Sequence, residues 1–168
     1  MADFINYPLQ FSWRFISLEP VCKERTNAVS QEGAFSVIQG EVDGRPLVAM
    51  IDMGLREMPD KQGLSFFLSL STSLIGPTSE GLPTRSDADN LNIWEDTVEE
   101  RLQSAGKFVF VGRVTWNGNR ELLYYVGNQH STLETLKIMS DVHSTRPFAF
   151  ICELDDEWER VGVWLNRH

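Results

Sequence analysis

Arg113 and Arg120 are the side chains best placed by type and spacing to do chemistry in this chain. They lie in the stretch Gly112 to Val126, GRVTWNGNRELLYYV, on either side of Asn117-Gly118. An Asn-Gly pair supplies the two positive-φ residues of a type I′ turn, so a β-hairpin is predicted. A two-residue turn sets Thr115 opposite Arg120, Arg113 opposite Leu122 and Val111 opposite Tyr124. Both guanidinium groups and the Thr115 hydroxyl then share one sheet face, where they would hold a carboxylate or a phosphate. The alternative is structural: each arginine pairs with a carboxylate such as Glu95, Asp96 or Glu121, and its stem packs beside aromatics.

Carboxylates form the second candidate group. Glu95, Asp96, Glu99 and Glu100 lie on the side of a predicted helix opposite Leu91, Trp94, Val98, Leu102 and Ala105. Paired carboxylates suit a metal or acid–base work, and they equally suit a solvated face that complements the helix dipole. The candidate binding set is therefore Arg113, Arg120 and Thr115 with Glu95, Asp96 and Glu99. Other constellations are missing from the sequence. It has no phosphate loop before a helix, no GxSxG and no HExxH, and His130, His143 and His168 are scattered through polar segments. No catalytic residue, cofactor or metal is assigned. Cys22 and Cys152 have no CxxC spacing, so two reduced, packed thiols are expected, with one disulfide as the alternative.

The elements that would position these residues follow in order. Phe11 to Phe15 alternates as a short strand would, and Lys23 to Gly33 is polar. Ala34 to Gln39 and Pro46 to Met53 flank Asp43-Gly44, which predicts an earlier hairpin. Leu64 to Thr72 alternates cleanly: Leu64, Phe66, Leu68 and Leu70 face one way, and Ser65, Phe67, Ser69 and Ser71 the other. The row of serines is either a ligand groove or a half-solvated strand face. Ile75 to Ser86 reads as a loop, after which Asp87 or Asp89 would cap the acidic helix and Gly106 would end it. Past the Arg113 hairpin, Ser131 to Glu134 is a capping-box pattern, Phe148 to Leu154 a strand, and Asp155 to Trp158 a helix start.

Residues 64–154 thus read strand, helix, strand, strand, helix, strand, the order of a split βαβ, ferredoxin-like α+β fold. Right-handed crossovers put both helices on one face of the sheet. The reading is one domain: residues 1–53 form an N-terminal extension with a hairpin, 64–154 the core, and 155–168 a C-terminal helix or tail. Both hairpin faces are apolar, so the aromatic N-terminal segment, its hairpin or a partner subunit is expected to cover the second face.

At 168 residues the chain can bury a full core without disulfides. Its net charge of −9, with no basic run, disfavours direct nucleic-acid binding. Such charge fits a basic protein partner, or simply solubility. MADFINYPLQFSWRF has neither a basic n-region nor a long apolar run, so no signal peptide and no membrane span are expected and the cytoplasm is the default compartment.

Several stretches together resemble the bacterial domain-of-unknown-function family 695. They are Gly81-Leu82-Pro83-Thr84, Leu91, Glu95-Asp96, Val111 to Thr115, Asn117-Gly118, Arg120-Glu121, Tyr125 and Asp155 to Trp158, within roughly residues 45 to 165. The resemblance implies no catalytic residues. Members joined to a domain similar to the RNase E inhibitor B family imply a regulatory or inhibitory binding module over an enzyme. The leading expectation is a non-catalytic protein-binding module, one version being an inhibitor of a basic nuclease or toxin-like enzyme. The alternative is a small-molecule anion binder or enzyme using Arg113, Arg120 and Glu95/Asp96. A homodimer burying the open sheet face is a third reading.

Overall fold

The computed structural model describes residues 34–166 apart from 59, 60, 62, 144 and 145. The expected strand at Phe11 to Phe15, the polar stretch from Lys23, and the residues Cys22 and His168 lie outside the described residues.

Two strands, β1 (Phe35–Val42) and β2 (Arg45–Asp52), form the first hairpin, and a 3₁₀ turn, Met53–Glu57, follows. Next come β3 (Phe66–Ser73), α1 (Arg85–Ala105), β4 (Phe108–Trp116) and β5 (Asn119–Val126). The chain closes with α2 (Gln129–Ile138), a π turn (Met139–His143), β6 (Ala149–Leu154) and α3 (Glu159–Leu165). The protein is mixed α+β, with one six-stranded sheet in the order β1-β2-β4-β5-β3-β6 and every pair antiparallel. The Arg113 hairpin, β4–β5, supplies the two middle strands. β5 lies between β3 and β4, β6 lies outside β3, and the first hairpin extends the sheet through β2 against β4.

Both tight turns have the predicted chemistry. Asp43 and Gly44 take φ of 51° and 70°, and Asn117 and Gly118 take 47° and 78°, the left-handed pair of a type I′ turn. Near the turn the expected register holds, with Thr115 opposite Arg120 and Arg113 opposite Leu122. Farther along it does not: Phe110, not Val111, faces Tyr124, because the pairing shifts between Phe110 and Gly112. One extra residue in a strand reverses every side chain beyond it. Phe108 and Phe110 therefore turn to the face of Leu122 and Tyr124, and Val109 and Val111 to the opposite one. Gly112 sits in this shift because a Cβ there would lie 2.4 Å from the Met50 carbonyl oxygen of β2.

Each sheet face carries its own core. α1 and α2 cover one face, packing Leu91, Trp94, Val98, Leu102 and Leu136 over Leu68, Leu70, Leu122, Tyr124 and Val126. On the other face α3 supplies Val161, Trp164 and Leu165, which pack with Leu47, Ile51, Val111, Leu123 and Tyr125. The cover described on this second face is thus the C-terminal helix and the 3₁₀ turn, through Leu55. Leu64 precedes its strand and joins this second core rather than the face of Phe66.

Helix ends differ from expectation by a few residues. Thr84, not Asp87 or Asp89, is the N-cap of α1 and accepts from the Asp87 N–H at 3.3 Å. Asn128 caps α2 through the Ser131 N–H at 3.0 Å, so the helix begins before Ser131. Gly106 ends α1 as expected, with φ of 140°. In each case several short polar residues compete for the cap, and tertiary packing selects among them.

Candidate functional site

The predicted binding residues meet where α1 crosses β4 and β5. Residues 91, 95, 98 and 102 recur at helical spacing, so Glu95 does not lie on the outward face expected for it but turns inward beside Leu91 and Val98. Its two carboxylate oxygens are divided between the two arginines. Arg113 Nη1 donates to Oε2 and Arg120 Nη1 donates to Oε1, each at 2.7 Å. Arg120 Nε donates to Thr115 Oγ1 at 2.6 Å, across the register pair beside the turn. The side chains of Arg120 and Glu95 are only 9 % and 11 % exposed, whereas that of Arg113 is 30 % exposed. Burial and then the neighbouring Arg113 charge lower the Arg120 pKa, and Glu95 opposes both.

Asp96 points to solvent on the outer face of α1, away from the clamp. Glu99 lies one turn beyond Glu95, half-buried, where burial and then the charges of Asp96 and Glu95 raise its pKa above 4.5. Its neighbour is the Tyr124 hydroxyl, buried at the sheet centre without a fully aligned partner. Burial foremost, then Glu99 and Glu95, hold that phenol neutral far above its ordinary range.

The Glu99 shift has a defined pH signature. A carboxyl whose folded pKa exceeds its unfolded value binds more protons when folded, so its stabilising contribution is present below pH 4.5 and is lost as pH rises through the folded pKa. Glu99→Gln is expected to be more stable than the parent at pH 7, by a few tenths to about 1 kcal/mol given the partial exposure. The gain should vanish toward pH 4. Urea titrations at the two pH values check it, and a gain that is equal at both would exclude this cause.

Two further polar centres carried no sequence signal beyond a cap assignment and a helix start. Asp87 is buried and accepts from Arg146 Nη2 at 2.5 Å and from the Ile75 N–H at 2.8 Å. Arg146 also donates to the Ser73 carbonyl at 3.3 Å, while Thr72 donates to the Pro147 carbonyl at 2.7 Å. These bonds tie the end of β3 and the first turn of α1 to the segment leading into β6. On the second face, Tyr125 donates to Asp155 Oδ2 at 2.5 Å. Asp155 accepts in addition from the Glu159 and Arg160 N–H groups at 3.0 and 3.1 Å. It therefore serves the start of α3 from four residues upstream of Glu159.

Of the remaining candidates, Ser69 is buried and donates to Glu121, while Ser65 and Ser71 are half-buried. His130 is exposed on α2, 3.8 Å from Glu134. Cys152 is a free, half-buried thiol, and burial foremost pushes its pKa up to about 11, which suppresses thiolate reactivity. Among the described residues no group of three His, Cys, Asp or Glu side chains could hold a metal ion, and no helix is long and apolar enough to cross a membrane.

A family model described as a family of unknown function, DUF695, matches residues 35–161. The chain belongs to the DUF695 family. Searches of curated proteins and of solved structures found no match. The DUF695 match begins at the first residue of β1 and ends within α3, so all six strands lie inside it.

The residues that carried the resemblance in this DUF695 chain also meet in space. Gly81, with φ of 78°, packs so closely on the hairpin turn that a Cβ would lie 2.9 Å from Asn117 Cα. The Gly118 N–H donates to the Gly81 carbonyl at 2.9 Å. Thr84 caps α1, Glu95 takes both arginines, and Tyr125 reaches Asp155. All of these contacts but the Thr84 cap, which closes the end of its own helix, fix one element to another, which is the chemistry of a scaffold.

Proposed function

We propose that the chain is a non-catalytic protein-binding module, cytoplasmic in setting, whose contact surface is the outward face of α1 and whose partner is a basic protein. The observation that carries this is a stripe of exposed side chains, Asp89, Ile93, Asp96 and Glu100, on successive turns of α1. Ile93 is 62 % exposed in the middle of three acids. An apolar knob ringed by carboxylates suits a contact in which charge steers encounter and the knob fills a pocket.

A regulator or inhibitor of a basic enzyme such as a nuclease is the concrete version, since it needs no catalytic groups of its own. The anion-binding alternative is weakened by the division of Glu95 between Arg113 and Arg120, which already satisfies the strongest donors facing it.

The test is affinity capture from native lysate with the parent and with Asp89→Lys/Asp96→Lys/Glu100→Lys, at low and at physiological salt. The expected result is a basic protein retained by the parent, released as salt rises, and bound about tenfold or more weakly by the variant. Recovery of the same proteins by both chains, or of general chaperones alone, would overturn the reading.

A further inference from the structure

The sheet face opposite α1 holds a feature that the proposed function does not use. A cleft of about 370 Å³ opens along α3, lined among others by Arg56, Lys61, Trp158, Gly162, Leu165 and Asn166. That volume lies in the range of small-molecule sites. Three independent observations indicate that it is built rather than incidental.

The first is the backbone of Trp158. This buried indole sits in the left-handed region, with φ of 60° and ψ of 34°, a conformation that is costly for a bulky side chain and that concentrates at ligand sites. Its own contacts hold it in place. Its ring stacks on Tyr125 with centroids 4.0 Å apart and planes within 2°, and its Nε1–H donates to the Leu64 carbonyl at 2.9 Å. Asp155 anchors the same turn through Tyr125 and the first N–H groups of α3.

The second is Gly162, inside α3. Glycine in a helix interior costs stability relative to alanine, and here its missing side chain leaves the cleft wall open. The nearest atom that a Cβ would meet, at 3.3 Å, is Asn166 Nδ2, also on the cleft. The third is charge. Lys61 places its Nζ 4.8 Å from the Trp158 ring centroid, and Arg56, which donates to the Leu165 carbonyl, stands on the same cleft. Glu157 is the single acid among the described lining residues.

The geometry points to a binding site for a small monoanion with an apolar body, a ring-bearing carboxylate. The Lys61 ammonium and the Asn166 amide meet the carboxylate, Arg56 adds favourable field, and Leu165 with the Trp158 edge meets the ring. Glu157 disfavours a dianion such as inorganic phosphate.

Benzoate is the probe, titrated into the full chain and followed by amide and indole NMR shifts. The expected result is saturable movement of the Gly162 amide, the Trp158 indole N–H and the Asn166 side-chain amide, with a dissociation constant of about 1 mM. Phosphate and benzylamine should bind about fivefold or more weakly. Lys61→Gln and Gly162→Ala should each weaken benzoate by about fivefold or more. The melting temperature of Gly162→Ala is measured alongside, and Lys61→Gln, which leaves the backbone of α3 untouched, separates a loss of binding from a loss of fold. Benzoate shifts that map elsewhere, benzylamine binding as tight as benzoate, parent-like affinity in both variants, or no saturation by about 20 mM would each overturn the site. The triple charge reversal on α1 leaves benzoate binding unchanged, so this site and the protein-binding face stand or fall separately.

Discussion

Replacing Glu95 by alanine is expected to cost about 3–5 kcal/mol of stability, among the largest losses available from one surface-proximal acid in this protein. The magnitude follows from what remains. Arg120, with a side chain only 9 % exposed, would keep Thr115 as its neutral partner and lose the carboxylate that balances its charge. Removing one partner of a buried pair strands the other, whereas removing both together does not. Glu95→Leu with Arg120→Met is therefore expected to recover most of the loss. Arg113→Ala should cost about 1 kcal/mol or less, because solvent screens a side chain that is 30 % exposed. For a chain of this length the Glu95→Ala loss corresponds to a fall of about 10 °C in Tm, measurable by calorimetry. A change within about 0.5 kcal/mol would show that the carboxylate is not the structural centre of the clamp.

Asp87→Ala is expected to be as damaging, again about 3–5 kcal/mol, for a different topological reason. The Asp87 and Arg146 side chains are 2 % and 4 % exposed. Their pair joins segments far apart in the chain: the end of β3, the first turn of α1 and the approach to β6. The loss leaves the Arg146 guanidinium without this carboxylate and the Ile75 N–H without its acceptor. Asp87→Asn, which keeps an acceptor oxygen but no charge, should cost less, about 2–3 kcal/mol. Hydrogen exchange gives the local readout. The Ile75 amide should lose protection in Asp87→Ala and keep it in Glu95→Ala at matched global stability. Unchanged Ile75 exchange in Asp87→Ala would remove this bond from the account.

The two predictions together separate a scaffold from a site. Both centres are buried, both satisfy their oxygens with protein donors, and both connect elements distant in sequence. Chemistry addressed to an outside molecule is better sought where charge or apolar surface is left exposed, along α1 at Ile93 and in the cleft beside α3.

Local physics made much of this legible in advance. Asp43-Gly44 and Asn117-Gly118 fixed two hairpins because only a few residue types tolerate paired positive φ. Alternation in β3 and helical spacing in α1 named the buried sides apart from Leu64 and Glu95, and turn register alone placed Thr115, Arg113 and Arg120 on one face. The register failed at Val111 because a bulge is set by contact with β2, through Gly112 against the Met50 carbonyl, and not by the hairpin's own residues. Asp87 was readable as a helix-start acid, but its partner Arg146 lies 59 residues away.

The sequence by itself determined the α+β class, the antiparallel pairing around two type I′ turns, and the presence of two arginines with an acid helix in reach. These depend on φ preference, period and spacing, which act within a few residues. Only the tertiary structure decided that one carboxylate, Glu95, would take both arginines, that α3 would cover the second face, and that Trp158 would close a cleft. Those outcomes depend on which distant surfaces meet, and the energy of burying a charge or an aromatic ring exists only once they have met.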